Sequence, residues 1–184
     1  MYRAYKYRLY PTPEQAERLD TWFAAARAVY NAGLEQRLTY GRSQGKDVHG
    51  RNSYFHSFRQ KKELGFRSRV DHLGLKDDPD LAWITDAPRE AVIDAALRDL
   101  DRTYDAYFAA LKRGERPPRL RYRSYDRNNS LTFQVFISKR MNVIFGRECV
   151  TLPKIGQLRY VRHQKFYGAP KTAEVIREGS VAIF

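Results

Sequence analysis

Tyr2-Arg3-Ala4-Tyr5-Lys6-Tyr7-Arg8-Leu9-Tyr10-Pro11-Thr12-Pro13-Glu14-Gln15 is the stretch on which the reading of this chain turns. Its first nine residues have strand composition, with Tyr5, Tyr7 and Leu9 on one face and Lys6 and Arg8 on the other. Pro11 closes the strand. A helix opens behind it, with Thr12 as N-cap, Pro13 in the first helical position and Gln15 placed to reach back to the cap. Ala16, Leu19, Trp22, Phe23, Ala26, Val29, Tyr30 and Leu34 then recur at helical spacing, which predicts one buried stripe. The turn chemistry of Gly41–Lys46 predicts that this helix ends near Tyr40.

Outward from this unit, Asn52 or Ser53 is a cap for a short helix through about Leu64. Gly65–Asp80 mixes Gly, Pro and charge, with one helical turn near Val70–Leu73, and Trp83 and Ile84 lead into the next helix. Asp86-Ala87-Pro88 starts that second long helix, which runs to about Lys112. Its buried stripe is Val92, Ile93, Ala96, Leu97, Leu100, Tyr104, Tyr107, Phe108 and Leu111. Past Gly114 the helical period disappears. Strands are predicted at Leu131–Ile137, Val143–Phe145, Cys149–Leu152, Gln157–Arg162, Glu174–Ile176 and Val181–Phe184, the last following a turn at Arg177–Ser180. One strand, then helices, then several strands predicts an α+β fold. It takes the form of a small, OB-like antiparallel β-barrel with a helical domain inserted after its first strand.

The balance of charge points to the partner. Lys and Arg number 34 against 21 Asp and Glu, a net +13, which favours a polyanion: nucleic acid first, an anionic membrane surface second. No run of roughly 18 apolar residues and no apolar signal core occurs, so the chain predicts neither a spanning helix nor secretion. A lone Cys149 fits a reducing, cytoplasmic setting.

The segment Arg116-Pro117-Pro118-Arg119-Leu120-Arg121-Tyr122-Arg123-Ser124-Tyr125-Asp126-Arg127 interleaves guanidinium groups with tyrosines, and its two prolines hold it extended. Guanidinium is the best phosphate donor and tyrosine stacks on bases, so Arg116, Arg119, Arg121, Arg123 and Arg127 are candidate RNA contacts. The same chemistry nominates Tyr5, Lys6, Tyr7 and Arg8, for which sheet packing is the competing role. Lys154, Arg159, Arg162 and Lys165 carry the positive character into the strands, and Lys154 joins the RNA candidates. Glu90, Asp94, Asp101 and Asp105 form an acidic helical stripe with Arg98 among them. No His or Cys lies close enough to complete a metal set, so the stripe reads as a solvated face with helix ion pairs rather than a catalytic pair. His49, His56, His72 and His163 lack metal-ligand spacing, and neither a phosphate-binding Gly loop nor a nucleophile elbow is present.

Four strings of residues also resemble one family in order and approximate spacing. Tyr5–Gln15 followed by Ala26-Arg27-Ala28-Val29-Tyr30-Asn31 resembles the opening of TnpB, the OrfB protein of bacterial insertion sequences. Ala96–Tyr104 with Tyr107-Phe108 is similar to its second signature. Pro118-Arg119-Leu120-Arg121 is similar to its Pro-Arg-Phe-Lys element. Leu152–Arg159 resembles its Leu-Pro-Lys-Leu-Gly strand turn. The family comprises RNA-guided DNA endonucleases related to type V CRISPR effectors and Fanzor proteins. The resemblance implies that residues 1–10 and 116–184 form a wedge β-barrel and 11–115 a helical recognition domain. Together these would hold a transposon-end guide RNA and read a short motif in double-stranded target DNA. It places Tyr54, Arg89, Glu90 and Asp94 against that duplex, with helix-start electrostatics as the alternative role. Many relatives have Ser-Gln after the proline and a Gln near the position of Asp94, a departure that bears on which motif is read.

In the family a RuvC-like nuclease domain, with its Asp-Glu-Asp set and zinc-finger cysteines, follows the strand corresponding to Val181–Phe184. None of those positions lies in this chain. It is therefore expected to be inactive as a nuclease by itself and to need no cofactor, Mg2+ belonging to the nuclease domain alone. The apolar Val181-Ala182-Ile183-Phe184 predicts a chain that continues. Two other readings stand beside this one: a stand-alone DNA-binding regulator, and a scaffold that docks a RuvC-containing chain through an open edge strand at Phe184.

Overall fold

The computed structural model describes residues 4–42, 60, 86–126, 129–135, 143–164, 167–178 and 181–183. The elements run β1 (Arg8–Tyr10), α1 (Pro13–Arg42), a π-helical turn (Glu90–Asp94), α2 (Ala95–Lys112), β2 (Ser130–Gln134), β3 (Ile144–Phe145), β4 (Cys149–Leu152), β5 (Gly156–Val161), β6 (Thr172–Glu178) and β7 (Val181–Ile183). This is an α+β architecture. The expected short helix around Asn52–Leu64 is described only at Gln60, which is helical. The turn at Val70–Leu73, the lead-in residues Trp83 and Ile84, and the ends of the turn and strand near Gly179, Ser180 and Phe184 lie outside the described residues.

The strands form one antiparallel seven-stranded sheet in the order β2-β6-β7-β1-β5-β4-β3. The earliest strand sits inside the sheet, with Arg8 opposite Val161, Leu9 opposite Tyr160 and Tyr10 opposite Arg159 on one side, and Arg8 opposite Ile183 on the other. All the described helical residues are therefore inserted between β1 and the strands it pairs with. β2 and β3 are the two edges, and among the described residues no pairing between them closes the sheet into a barrel. Phe184, the place of the expected open edge, lies outside the described residues. Val181–Ile183 pairs with β6 at all three residues and with β1 at Ile183, so β7 lies inside the sheet between them.

Local chemistry sets the helix ends. Gln15 N–H donates to Thr12 Oγ1 at 3.3 Å while Thr12 N–H donates to Gln15 Oε1 at 3.1 Å, a reciprocal capping box. The same Gln15 side chain donates through Nε2 to the Gln157 carbonyl at 2.9 Å, fastening the helix start to β5. At the far end of α2, Gly114 takes φ 71°, and Glu115 N–H reaches back to the Ala110 carbonyl at 3.0 Å. A left-handed residue after the last turn is what this closure requires, and glycine adopts it without a Cβ clash.

The stripe read from α1 is buried as expected: Leu19, Trp22, Phe23, Ala26, Val29, Tyr30 and Leu34 join Leu9, Leu131, Phe133, Val150, Leu158 and Val175 from the sheet in one core. Each such large side chain stabilises the fold by about 1.5–3 kcal/mol on burial. Along α2, Leu97 and Leu100 are buried, but Phe108 and Leu111 are 42% and 47% exposed. The stripe predicted for this helix therefore overruns its core by a turn. Where α1 and α2 cross, Gly33 lets the backbones approach: a Cβ there would stand 2.9 Å from Leu97 Cδ2 and 3.1 Å from Leu100 Cδ2.

Candidate nucleic-acid interface

After Gly114 the chain runs extended across α1 as a strap. An amide clamps its backbone there: Asn31 Nδ2 donates to the Arg123 carbonyl at 3.0 Å and Asn31 Oδ1 accepts from Arg123 N–H at 2.8 Å. Leu120 packs against the core, and the Tyr122 hydroxyl donates to Glu35. The arginines of the strap divide accordingly. Arg123 turns inward, its guanidinium 4.0 Å over the Tyr30 ring and 3.0 Å from an Asp99 carboxylate oxygen. Arg116, Arg119 and Arg121 are exposed, beside the exposed Tyr122 and Tyr125. Tyr125 is itself flanked by two guanidiniums, those of Arg27 and Arg177, each 5.3 Å from its ring. Arg127 lies outside the described residues.

The first strand also divides by face. Tyr7 is 4% exposed, its hydroxyl donates to the Gln164 carbonyl at 3.0 Å, and its ring packs against Tyr160 and His163. Burial raises its pKa, partly opposed by the nearby Arg162 charge. Tyr5 is half-buried and its hydroxyl accepts from Tyr167 N–H at 3.3 Å. These two tyrosines thus serve the packing role that competed with base contact, as the structure has them. Lys6 and Arg8 point outward with Tyr10, and Arg8 lies 5.5 Å over the Tyr10 ring.

Lys154, at φ 66° in the β4–β5 turn, donates through Nζ to the carbonyls of Asp86 at 2.8 Å and Ala87 at 3.3 Å. Arg18 reinforces the junction, donating to the Lys154 carbonyl at 2.9 Å. The lysine therefore ties the sheet to the start of the second helical element. The nearby cleft at the beginning of α1 is lined by Glu14, Glu17 and Asp86 against Arg18. Its excess of carboxylates disfavours phosphate there.

Of the four residues placed against duplex DNA, Tyr54 lies outside the described residues. Arg89 is exposed immediately before the π-helical turn, and Glu90 and Asp94 are half-buried within it. Here the Ala95 N–H reaches the Glu90 carbonyl, one residue further than in an α-helix, and such turns are common at functional sites. Burial raises the pKa of Glu90, Arg98 opposes the rise and Asp94 adds to it.

The acidic stripe is not the plainly solvated face its spacing implied. Asp101 receives a hydrogen bond from Arg37, whose side chain is 2% exposed. Arg37 Nε donates to Gln60 Oε1 at 2.7 Å, and its guanidinium lies 5.0 Å over the Tyr104 ring. Gln60, wholly buried, donates to the Gly33 carbonyl at 2.8 Å. Among the described residues no three His, Cys, Asp or Glu side chains gather as a metal site requires.

Sequence reasoning missed three of these features. Arg37 stands in phase with Tyr30 and Leu34 on the buried stripe, a charge at an apolar position that signals an internal partner. Tyr10 shares the outer face of β1 with Arg8, a parity that period-two counting supplies. The Asn31 clamp had no sequence signal.

Residues 1–46 match a family model described as a helix-turn-helix domain, HTH_OrfB_IS605. The described part of that match contains β1 and the unbroken helix α1. Over 124 residues, 66% of the chain, the sequence is 32% identical to a protein of Streptomyces pristinaespiralis named a putative RNA-guided DNA endonuclease. The chain belongs to the TnpB/OrfB family. The matched stretch spans about a quarter of that relative's length, 25%. Among the described residues, no helix of this TnpB/OrfB chain is long and apolar enough to cross a membrane.

Proposed function

We propose that this chain is the guide-RNA-holding and target-DNA-docking portion of a TnpB-like RNA-guided DNA endonuclease. In this reading 1–10 and 116–184 act as the wedge, 11–115 as the recognition domain, and base pairing to the guide supplies most of the sequence specificity. The strap carries it: Arg123 and Asn31 fix the segment to α1, while Arg116, Arg119 and Arg121 remain exposed to meet phosphates. Lys6 and Arg8 extend the same surface on the sheet. Arg89 would donate to a guanine edge or a phosphate of duplex DNA, and Glu90 and Asp94 would accept from a cytosine or adenine amino group. The catalytic carboxylates and their Mg2+ would belong to a RuvC nuclease domain, whether on the same polypeptide or on another, and the complex would work on the nucleoid in the cytoplasm.

Filter binding tests this directly. Transposon-end RNA should be retained at lower protein concentration than an arbitrary RNA or a DNA duplex at about 0.2 M salt, where weak phosphate contacts are screened. Equal affinity for all three would overturn the reading. The helix-turn-helix match favours a second reading, a DNA-binding regulator. Preference for duplex DNA over every RNA would select it.

A further inference from the structure

The outer face of the sheet holds a cluster that the strap does not explain. Across β1 and β5, Tyr10 stands opposite Arg159 and Arg8 opposite Val161. Antiparallel partners project to the same side, so these four side chains share one face. Tyr10 is 46% and Val161 50% exposed, both arginines are exposed, and Arg8 is 5.5 Å over the Tyr10 ring. The buried partners Leu9 and Tyr160 alternate with them on the core side. A half-exposed aromatic ring in the middle of a sheet, with one guanidinium over it and another in the opposite register position, combines a flat apolar surface with cations beside it. Ordinary solvated strands carry Thr, Lys or Glu in such positions.

We infer that Tyr10 is a stacking platform for one unpaired nucleotide base, with Arg8 and Arg159 taking the phosphates on either side and Val161 bounding the base. This rests on the nucleic-acid reading above and narrows it to single-stranded ligand at this face. A duplex keeps its bases stacked on one another and cannot offer one to the ring, whereas an unpaired residue of a folded RNA can. Charge complementarity selects the occupant: a protein partner with apolar chemistry alone would leave two arginines desolvated without anions.

The test uses the 184-residue chain and two probes, a single-stranded RNA dodecamer with one central 2-aminopurine and a blunt RNA duplex of similar composition. Binding of the wild type to the single strand should change 2-aminopurine fluorescence. Tyr10→Ala should lose roughly tenfold or more in affinity for the single strand together with the fluorescence change, and leave duplex affinity unaltered. Tyr10→Phe, which keeps the ring, should retain both, and this variant separates stacking from loss of fold. If Tyr10→Ala binds the single strand like the wild type while Arg119→Ala/Arg121→Ala binds weakly, the platform is refuted and the strap stands. If the wild type binds neither probe yet retains transposon-end RNA, the platform falls and the guide-RNA reading stands; if it retains none of the three, both fall.

Discussion

The seam between α1 and α2 and the strap that crosses α1 use the same residue type for opposite ends. At the seam Arg37 is enclosed, Asp101 and Gln60 accepting from Nη2 and Nε and the Tyr104 ring lying under the guanidinium, while Nη1 is buried without a hydrogen-bond partner among the described residues. On the strap Arg119 and Arg121 keep their charge and donors for solvent, and Arg123, which follows them, is spent on Tyr30 and Asp99. A count of positive charges treats all four alike. Position decides which of them is structure and which is available to a ligand.

The comparison breaks most visibly at Asp101. Asp101→Ala leaves a nearly buried guanidinium without its carboxylate and should destabilise the fold by about 3–5 kcal/mol, read as a lowered urea midpoint. A loss comparable to that of an exposed pair, under about 1 kcal/mol, would show that the seam is wet.

The strap sharpens it next. Arg119→Ala/Arg121→Ala should reduce the slope of log affinity for RNA against log salt by about 1.4–1.8, two phosphates at roughly 0.7–0.9 each, with the melting temperature unchanged. Arg123→Ala should do the reverse, lowering stability by about 1–2 kcal/mol through the lost ring and carboxylate contacts while the slope stays put. An altered slope for Arg123→Ala would erase the distinction between the two kinds of arginine.

Smaller effects belong to the helix ends. Thr12→Ala removes one half of the capping box and should cost about 1 kcal/mol in thermal unfolding. Glu90 gives a pH signature. Its folded pKa is raised by burial, so between the unfolded and folded values the native state binds more protons and stability falls as pH rises through that window. Glu90→Gln should flatten that decline on the acid side of neutrality; an identical profile would mean that the carboxyl is effectively in water.

Most of the scaffold was legible because its signals are local. Thr12, Pro13 and Gln15 announce α1, Gly114 announces the end of α2, and β4 and β5 fall within about a residue of their alternation patterns. The first strand, read from Tyr2, is by contrast strand only over Arg8–Tyr10 among the described residues, and the second, read to Ile137, ends at Gln134. The sheet order was not legible, since nothing in Val181–Ile183 says that it will lie between β6 and β1 rather than at an edge. The π-helical turn was equally silent: residue propensities do not distinguish a five-residue hydrogen-bond step from a four-residue one. For the candidate interface, composition marked the strap as a whole but could not separate Arg123 from Arg121. That distinction depends on where Tyr30, Asn31 and Asp99 stand on two other helical faces, which is tertiary information.

The two-way amide clamp of Asn31 has a metric consequence. Because both backbone groups of Arg123 are caught at one point, the strap is indexed from there, as a tape is read from its fixed end. Lengthening the chain between Gly114 and Pro117 would shift Arg116 alone and leave Arg119 and Arg121 in place, whereas one extra residue between Arg121 and Arg123 would displace every exposed guanidinium together. The spacing between cations and sheet is thereby set by the Asn31 clamp together with Leu120 on the core and Tyr122 on Glu35, and the surface can be retuned at its loose end without disturbing those anchors.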